Sequence, residues 1–204
     1  PTLELIGADE NAHCIVGCYM MNVKGRTIFL ADATVNVYPD SRTLAEIAVQ
    51  TAKVARRFGV DPVVAMLSFS NFGSSRAQRS ERIEDAIAFA RELDPSLVID
   101  GPMQADTALN GAVQGEYPFM EFTGAANVLV LPNLAAANIA YKLIEELGDA
   151  EMTGPILEGM NHPVQLVARQ DGVRHIVNMA AICAADAIRK EPYWESLVSP
   201  LKED

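Results

Sequence analysis

The sequence predicts an α/β fold with a mixed, largely parallel sheet. Three observations lead there. Strand-like apolar runs alternate with helical periodicities along the chain, the pattern of parallel strands joined by crossover helices. Pro62-Val-Val-Ala-Met-Leu67 is apolar on both sides, as a strand covered on both faces must be. Near the start, two β-rich runs are separated by only Asn22-Val-Lys-Gly25, a hairpin spacing that makes one pair antiparallel.

The elements follow in order. His13–Met21 and Arg26–Ala31 form the hairpin strands. Ser41–Phe58 is an amphipathic helix, with Leu44, Ile47, Ala48, Thr51, Val54, Ala55 and Phe58 on one face and Gly59 as its terminator. The run at 62–67 is the next strand. Glu81–Leu93 is helical, with acidic residues in its first turn and Asp94-Pro95 as its stop. Ser96–Asp100 is a strand, and residues 101–123 form an irregular stretch suited to functional loops. Ala126–Leu131 is the most hydrophobic strand and is placed at the sheet centre. Leu134–Leu147 is a helix ended by Gly148. Val173–Lys190 is the last long helix, with Ile176, Val177, Ala180, Ala184, Ala187 and Ile188 expected to face inward. The tail from Glu191 holds Trp194.

Composition narrows the function classes. The chain has 204 residues, 50% of them hydrophobic, enough for one domain without disulfide or metal staples. A formal net charge of -11 disfavours nucleic acid and anionic membrane as partners. No apolar run reaches the length of a membrane span, and no signal peptide is visible. Cys14, Cys18 and Cys183 fit no zinc spacing and read as reduced structural thiols, which predicts a cytoplasmic protein. His13, His162 and His175 share no ligand spacing, so no metal site is expected. Pro1 in place of Met predicts a lead-in segment before it.

Ligands collect where strands of an α/β sheet give way to helices, and three such junctions carry polar groups. Ser68-Phe-Ser-Asn-Phe-Gly-Ser-Ser-Arg76 offers the hydroxyls of Ser68, Ser70, Ser74 and Ser75, a tight turn at Gly73 and the charge of Arg76. It fits an anion cradle, but its spacing alone fits an ordinary polar loop better. Leu131–Asn138 runs into a helix with Asn133 as its N-cap, and Tyr141 and Lys142 follow; Lys142 fits an anionic ligand or a solvated surface. Ala168-Arg-Gln-Asp-Gly-Val-Arg-His175 supplies Arg169, a fork for phosphate oxygens, and His175 near a helix start. Asp100, Asp106 and Glu116 fit turn and capping roles better than acid–base work.

Several motifs occur together in order. They are Met66-Leu-Ser-Phe-Ser70, Ile99-Asp-Gly-Pro-Met-Gln-Ala-Asp106, Ala126-Asn-Val-Leu-Val-Leu-Pro132, Asn138-Ile-Ala-Tyr-Lys142 and Gly154-Pro-Ile-Leu157. From about Ile15 to Ile188 the chain resembles the phosphate acetyl/butyryl transferase family. Tyr117-Pro-Phe and Ile176-Val-Asn-Met-Ala-Ala181 lean toward the version at the C-terminus of bacterial NADP-dependent malic enzymes. The resemblance implies a three-layer α/β/α sandwich of the isocitrate/isopropylmalate dehydrogenase-like type, spanning 1–204 as the later part of a two-lobed module. It implies a homodimer or higher homo-oligomer, a malic enzyme domain in cis, and a cleft for acetyl-CoA or CoA. NADP and a divalent metal would belong to the malic enzyme domain.

The resemblance also assigns roles. A serine at 168 contacts the CoA thiol, an arginine at 169 steadies the transition state, and an aspartate at 175 deprotonates the thiol. Asn138, Tyr141 and Lys142, with Ser68, Ser70 and Ser74, are the further ligand-binding candidates. Here Arg169 is kept, Ala168 cannot hydrogen-bond, His175 is a different base, and Glu146 stands where an arginine for CoA is expected. Losing a base and an orienting hydroxyl removes orders of magnitude in rate. Arg169 alone would still supply about 1.5–3 kcal/mol of charge-assisted binding. The expectation is an acyl-CoA-binding regulatory domain without turnover. The alternatives are a working transferase with His175 as base, and a purely structural oligomerisation module.

Overall fold

The computed structural model describes residues 5–74 and 79–189. Ser75, Arg76, Trp194 and the tail from Glu191 lie outside the described residues. Six strands form one sheet: β1 (Val16–Val23), β2 (Arg26–Ala31), β3 (Val63–Leu67), β4 (Val98–Met103), β5 (Val128–Val130) and β6 (Glu151–Glu158). Their spatial order is β4-β3-β5-β2-β1-β6. The pairs β4–β3, β3–β5 and β5–β2 are parallel, whereas β1 is antiparallel to both β2 and β6. β1 therefore runs against the other five strands.

The hairpin turn is two residues, Lys24 (φ 51) and Gly25 (φ 75), the left-handed pair that matches the twist of the flanking strands. β5 is buried along its length and sits inside the sheet, as its hydrophobicity predicts. Side-chain alternation then builds two cores. Phe29, Ala31, Val64, Met66, Val128 and Val130 point to one face. Ile28, Leu30, Ala65, Leu67, Leu129 and Leu131 point to the other.

On the first face lie α1 (Ser41–Arg57), α2 (Arg79–Leu93) and α6 (Val173–Arg189). On the second lie α3 (Ala105–Leu109) and α5 (Leu134–Leu147); α4 (Gly111–Gln114) packs beside α3. The layering is the expected α/β/α sandwich. Asp40 caps α1, its carboxylate accepting the Thr43 N–H at 2.8 Å, and Gly59 (φ 74) follows the helix end. The segment after β2 is held by the buried Asp32 carboxylate. Oδ1 accepts from the N–H groups of Gly17, Thr34 and Val35, and Oδ2 from the Asn36 N–H at 2.8 Å and its Nδ2 at 2.6 Å.

Three features depart from expectation. β6 falls where no strand is predicted, because Gly154 and Pro155 interrupt its apolar pattern. The stretch 101–123 contains two short helices and the end of β4. The inward face of α6 is also different: Ile176, Val177 and Ile188 are 44%, 59% and 61% exposed, Ala180 and Ala184 are exposed and Ala187 is half-buried, whereas Met179 and Asp186 are buried. α6 is apolar around most of its circumference, so period alone cannot choose its face. The packed side sets Met179 and Ile182 against the core and carries an ion cluster beside them. Arg57 at the end of α1 pairs with Glu158 at the end of β6 and with Asp186 at 3.3 Å, and Asp186 also accepts from Arg189 Nη2 at 2.5 Å. Burial pulls the Arg57 guanidinium below its usual range, and Asp186 opposes that shift.

Candidate functional site

The structure places five of the nominated residues, Tyr141, Lys142, Ala168, His175 and Ser68, along two cavities that share helix α5. The first has a volume of about 470 Å³ and lies beside β1 and β6. Tyr141, Lys142, Ala168 and His175 line it, with Tyr19, Asp171, Glu145 and Glu146. Gly154 makes this wall possible. Its φ is 146°, and a Cβ there would stand 2.9 Å from both the Cys18 carbonyl and the Tyr19 ring. Only glycine lets β6 approach β1 so closely beneath the cavity.

Within the cavity, the Tyr19 and Tyr141 rings stack at 4.3 Å and 17°. Lys142 Nζ stands 4.8 Å from the Tyr141 ring centre. Burial, then the neighbouring Tyr141 hydroxyl, push the Tyr19 phenol well above its usual range. The Tyr141 hydroxyl, with Glu145 and Glu146 nearby, raises the Lys142 ammonium. The cavity wall thus sets three carboxylates (Glu145, Glu146 and Asp171) against one ammonium. Such a wall suits an uncharged arm better than a polyphosphate.

Asp171 organises the third junction. Its Oδ2 accepts the Ala168 N–H at 2.6 Å and lies 3.5 Å from His175 Nε2. The backbone donor of residue 168 is therefore already taken, and its methyl side chain offers no hydrogen bond. Arg169 is exposed, does not line the cavity, and makes no hydrogen bond or ion pair among the described residues. Asn138 is half-buried on α5 and lines neither cavity.

The second cavity, of about 580 Å³, opens at the C-terminal ends of β3 and β5. Tyr38, Leu67, Phe69 and Leu131 make it largely apolar; Ser68 and Asn133 add polar groups. The Arg82 guanidinium, in its wall, donates to Pro39 O and Pro132 O, both at 2.9 Å. Asn133 caps α5, accepting the Ala136 N–H at 2.9 Å. Ser68 is the one nominated serine in this wall. Ser70 is buried beneath the loop, its hydroxyl without a partner among the described residues, and Ser74 is exposed. The loop is fixed instead by Asn71, which donates to Gln104 Oε1 at 3.2 Å and Tyr117 OH at 3.0 Å.

Asp100 accepts the N–H groups of Gly101 and Glu121, tying the stretch around residue 121 to the end of β4. Among the described residues, no group of three or more His, Cys, Asp or Glu is arranged to hold a metal, and no helix is long and apolar enough to cross a membrane. The sequence reading missed Asp171 and Tyr19. Asp171 carried a signal, since it stands four residues before His175 at a helix start. Tyr19 carried none, because its place depends on the pairing of β1 with β6.

The chain is similar to several known proteins. The phosphate acetyl/butaryl transferase family profile matches residues 1–184. The phosphate acetyltransferase of Bacillus subtilis (strain 168) is 40% identical over 189 residues, 92% of this chain and 58% of that protein. The NADP-dependent malic enzyme of Escherichia coli (strain K12) is 43% identical over 185 residues, 90% of this chain and 24% of that protein. A phosphotransacetylase structure from Streptococcus pyogenes superposes with a TM-score of 0.87 at 36% identity, covering 93% of this chain and 58% of the other. The chain thus spans less than two-thirds of the length of these relatives. On the profile match and the shared fold together, the chain belongs to the phosphate acetyl/butaryl transferase family.

Proposed function

We propose that this chain is the C-terminal acyl-CoA-binding regulatory domain of an NADP-dependent malic enzyme, and that it does not itself transfer acetyl groups. Acetyl-CoA or CoA binds beside α5, and its occupancy inhibits the oxidation of malate to pyruvate and CO2 in a separate domain. NADP and the divalent metal serve that separate domain. The observation that carries this reading is at residue 168. A methyl group replaces a hydroxyl, and its backbone N–H is already committed to Asp171. Acyl exchange needs a group that steadies the reacting sulfur or carbonyl, and this position offers none.

Reduced thiols at Cys14, Cys18 and Cys183 support a cytoplasmic setting. Exposed apolar side chains on α5, namely Ile139, Leu143 and Leu147, support assembly into a homo-oligomer. The test is to titrate acetyl-CoA into the full-length protein while following malate oxidation. Inhibition that tracks acetyl-CoA binding is expected. Unchanged malate kinetics at saturating acetyl-CoA would defeat the regulatory reading.

A second reading is an active phosphate acetyltransferase. It is favoured by one contact, the Asp171 carboxylate beside His175, which gives the cavity a base. Acetyl phosphate formation from acetyl-CoA and phosphate separates the two readings. The regulatory reading predicts no turnover above the uncatalysed rate.

A further inference from the structure

The second cavity lies where the connections of the sheet diverge. β3 and β5 are parallel neighbours, but β3 leads into α2 on the first face and β5 into α5 on the second. The two chains part beyond the strand ends and leave a crevice, the place where open α/β sheets take their ligands. Its volume of about 580 Å³ is that of a small-molecule site. Leu67, Ile83 and Leu131 are buried in its walls, and Tyr38 and Phe69 stand at it 82% and 58% exposed.

Its charge is the opposite of the first cavity's. Among the described residues no Asp or Glu lines it, and its charged lining residue is Arg82. Both Nη atoms of Arg82 donate to uncharged carbonyls, those of Pro39 and Pro132. Its Nε is buried without a partner, and it forms no ion pair among the described residues. A guanidinium held in this way keeps its full charge in a largely apolar wall, where an unanswered charge is costly. Asn133 Oδ1 is occupied by the cap of α5, which leaves Nδ2 as a donor. That Nδ2 and the Ser68 hydroxyl have no partner among the described residues, and both residues line the crevice.

We propose that this crevice is a second ligand site and that it takes an aromatic monocarboxylate. The ring packs against Tyr38 and Phe69, and the carboxylate accepts from Ser68 and Asn133 within the field of Arg82. Two donors and one positive charge match one carboxylate. A phosphate monoester brings a second negative charge that nothing in this wall offsets, and an uncharged ring leaves the guanidinium unanswered. No bond is made or broken. None of Tyr141, Lys142, Ala168 or His175 lines the crevice, so the proposal stands apart from acyl-CoA binding in the first cavity.

The experiment is saturation-transfer NMR on the full-length protein with benzoate and with benzamide, each with and without saturating acetyl-CoA. Benzoate is expected to bind at least about tenfold more tightly than benzamide, the uncharged ring of the same shape. It is expected to stay bound when acetyl-CoA is added. Ala136→Leu exchanges one good helix former for another and fills the crevice from α5, so benzoate binding is lost. Phe69→Ala, a change outside both cores, weakens benzoate severalfold. No benzoate binding, a preference over benzamide smaller than that, or binding undiminished by both variants overturns the proposal. Displacement of benzoate by acetyl-CoA also overturns it, because the crevice then belongs to the acyl-CoA site. Tight benzoate binding without any acetyl-CoA binding removes the acyl-CoA reading and supports this one.

Discussion

Asp32 shows how much a single buried carboxylate can organise. Four backbone N–H groups and one side-chain amide converge on it, so the chain between β2 and α1 has its donors satisfied without secondary structure. Asp32→Ala orphans these donors and is expected to cost at least about 2 kcal/mol in a urea denaturation series. Asn133→Ala removes the cap of α5 and is expected to cost about 1 kcal/mol by the same measurement. The Asn133 cap is legible in the sequence, because a cap is a local rule written in adjacent residues. The Asp171–His175 contact is not read there, because it needs the loop before α6 to fold back on Ala168. The exposed position of Arg169 is equally a matter of loop geometry, which residue type does not encode.

At the scale of elements, the strands and helices with one buried face are legible, and those without one are not. α1 shows its periodicity plainly, and its predicted apolar positions are buried except Phe58. β6 is an edge strand, where proline costs little, so Gly154-Pro155 reads as a break although the strand resumes its pairing with β1 on either side, with a register shift at that point. α6 presents too many apolar residues for its packed side to be chosen from sequence. The join between α1 and α2 makes a pH prediction. Hydrogen bonds from the Ser96 hydroxyl and the Arg56 guanidinium hold the Asp94 carboxyl below its usual range. A carboxyl lowered in the folded state stabilises the fold above its ordinary range, and that contribution is lost as pH falls through the lowered value. The stability gap between wild type and Asp94→Asn should therefore be full at neutral pH and close in acid, as read from urea midpoints. The thiols behave in the opposite sense. Burial pushes Cys14 and Cys18 up to about 12, so alkylation of the folded protein at neutral pH should be far slower than in urea.

For the whole molecule, the three layers and the parallel core follow from alternation of strand and helix signals. The division of candidate residues between two cavities does not, because it depends on where α5 lies across the sheet. Regulation through this domain carries a thermodynamic obligation. If acetyl-CoA lowers the affinity for malate in the full-length protein, malate must lower the affinity for acetyl-CoA by the same factor. Equilibrium titrations of each ligand in the presence of the other should return one common coupling factor, and unequal factors would rule out a simple two-site linkage.

Helix α5 touches both hollows, with its cap Asn133 and Ala136 at one and Tyr141, Lys142, Glu145 and Glu146 at the other. Its fourteen residues make a stiff rod on the order of 20 Å long. A guest that tilts or slides this rod at one socket must reshape the other, so two guests on the same molecule cannot be indifferent to each other unless the rod stays still.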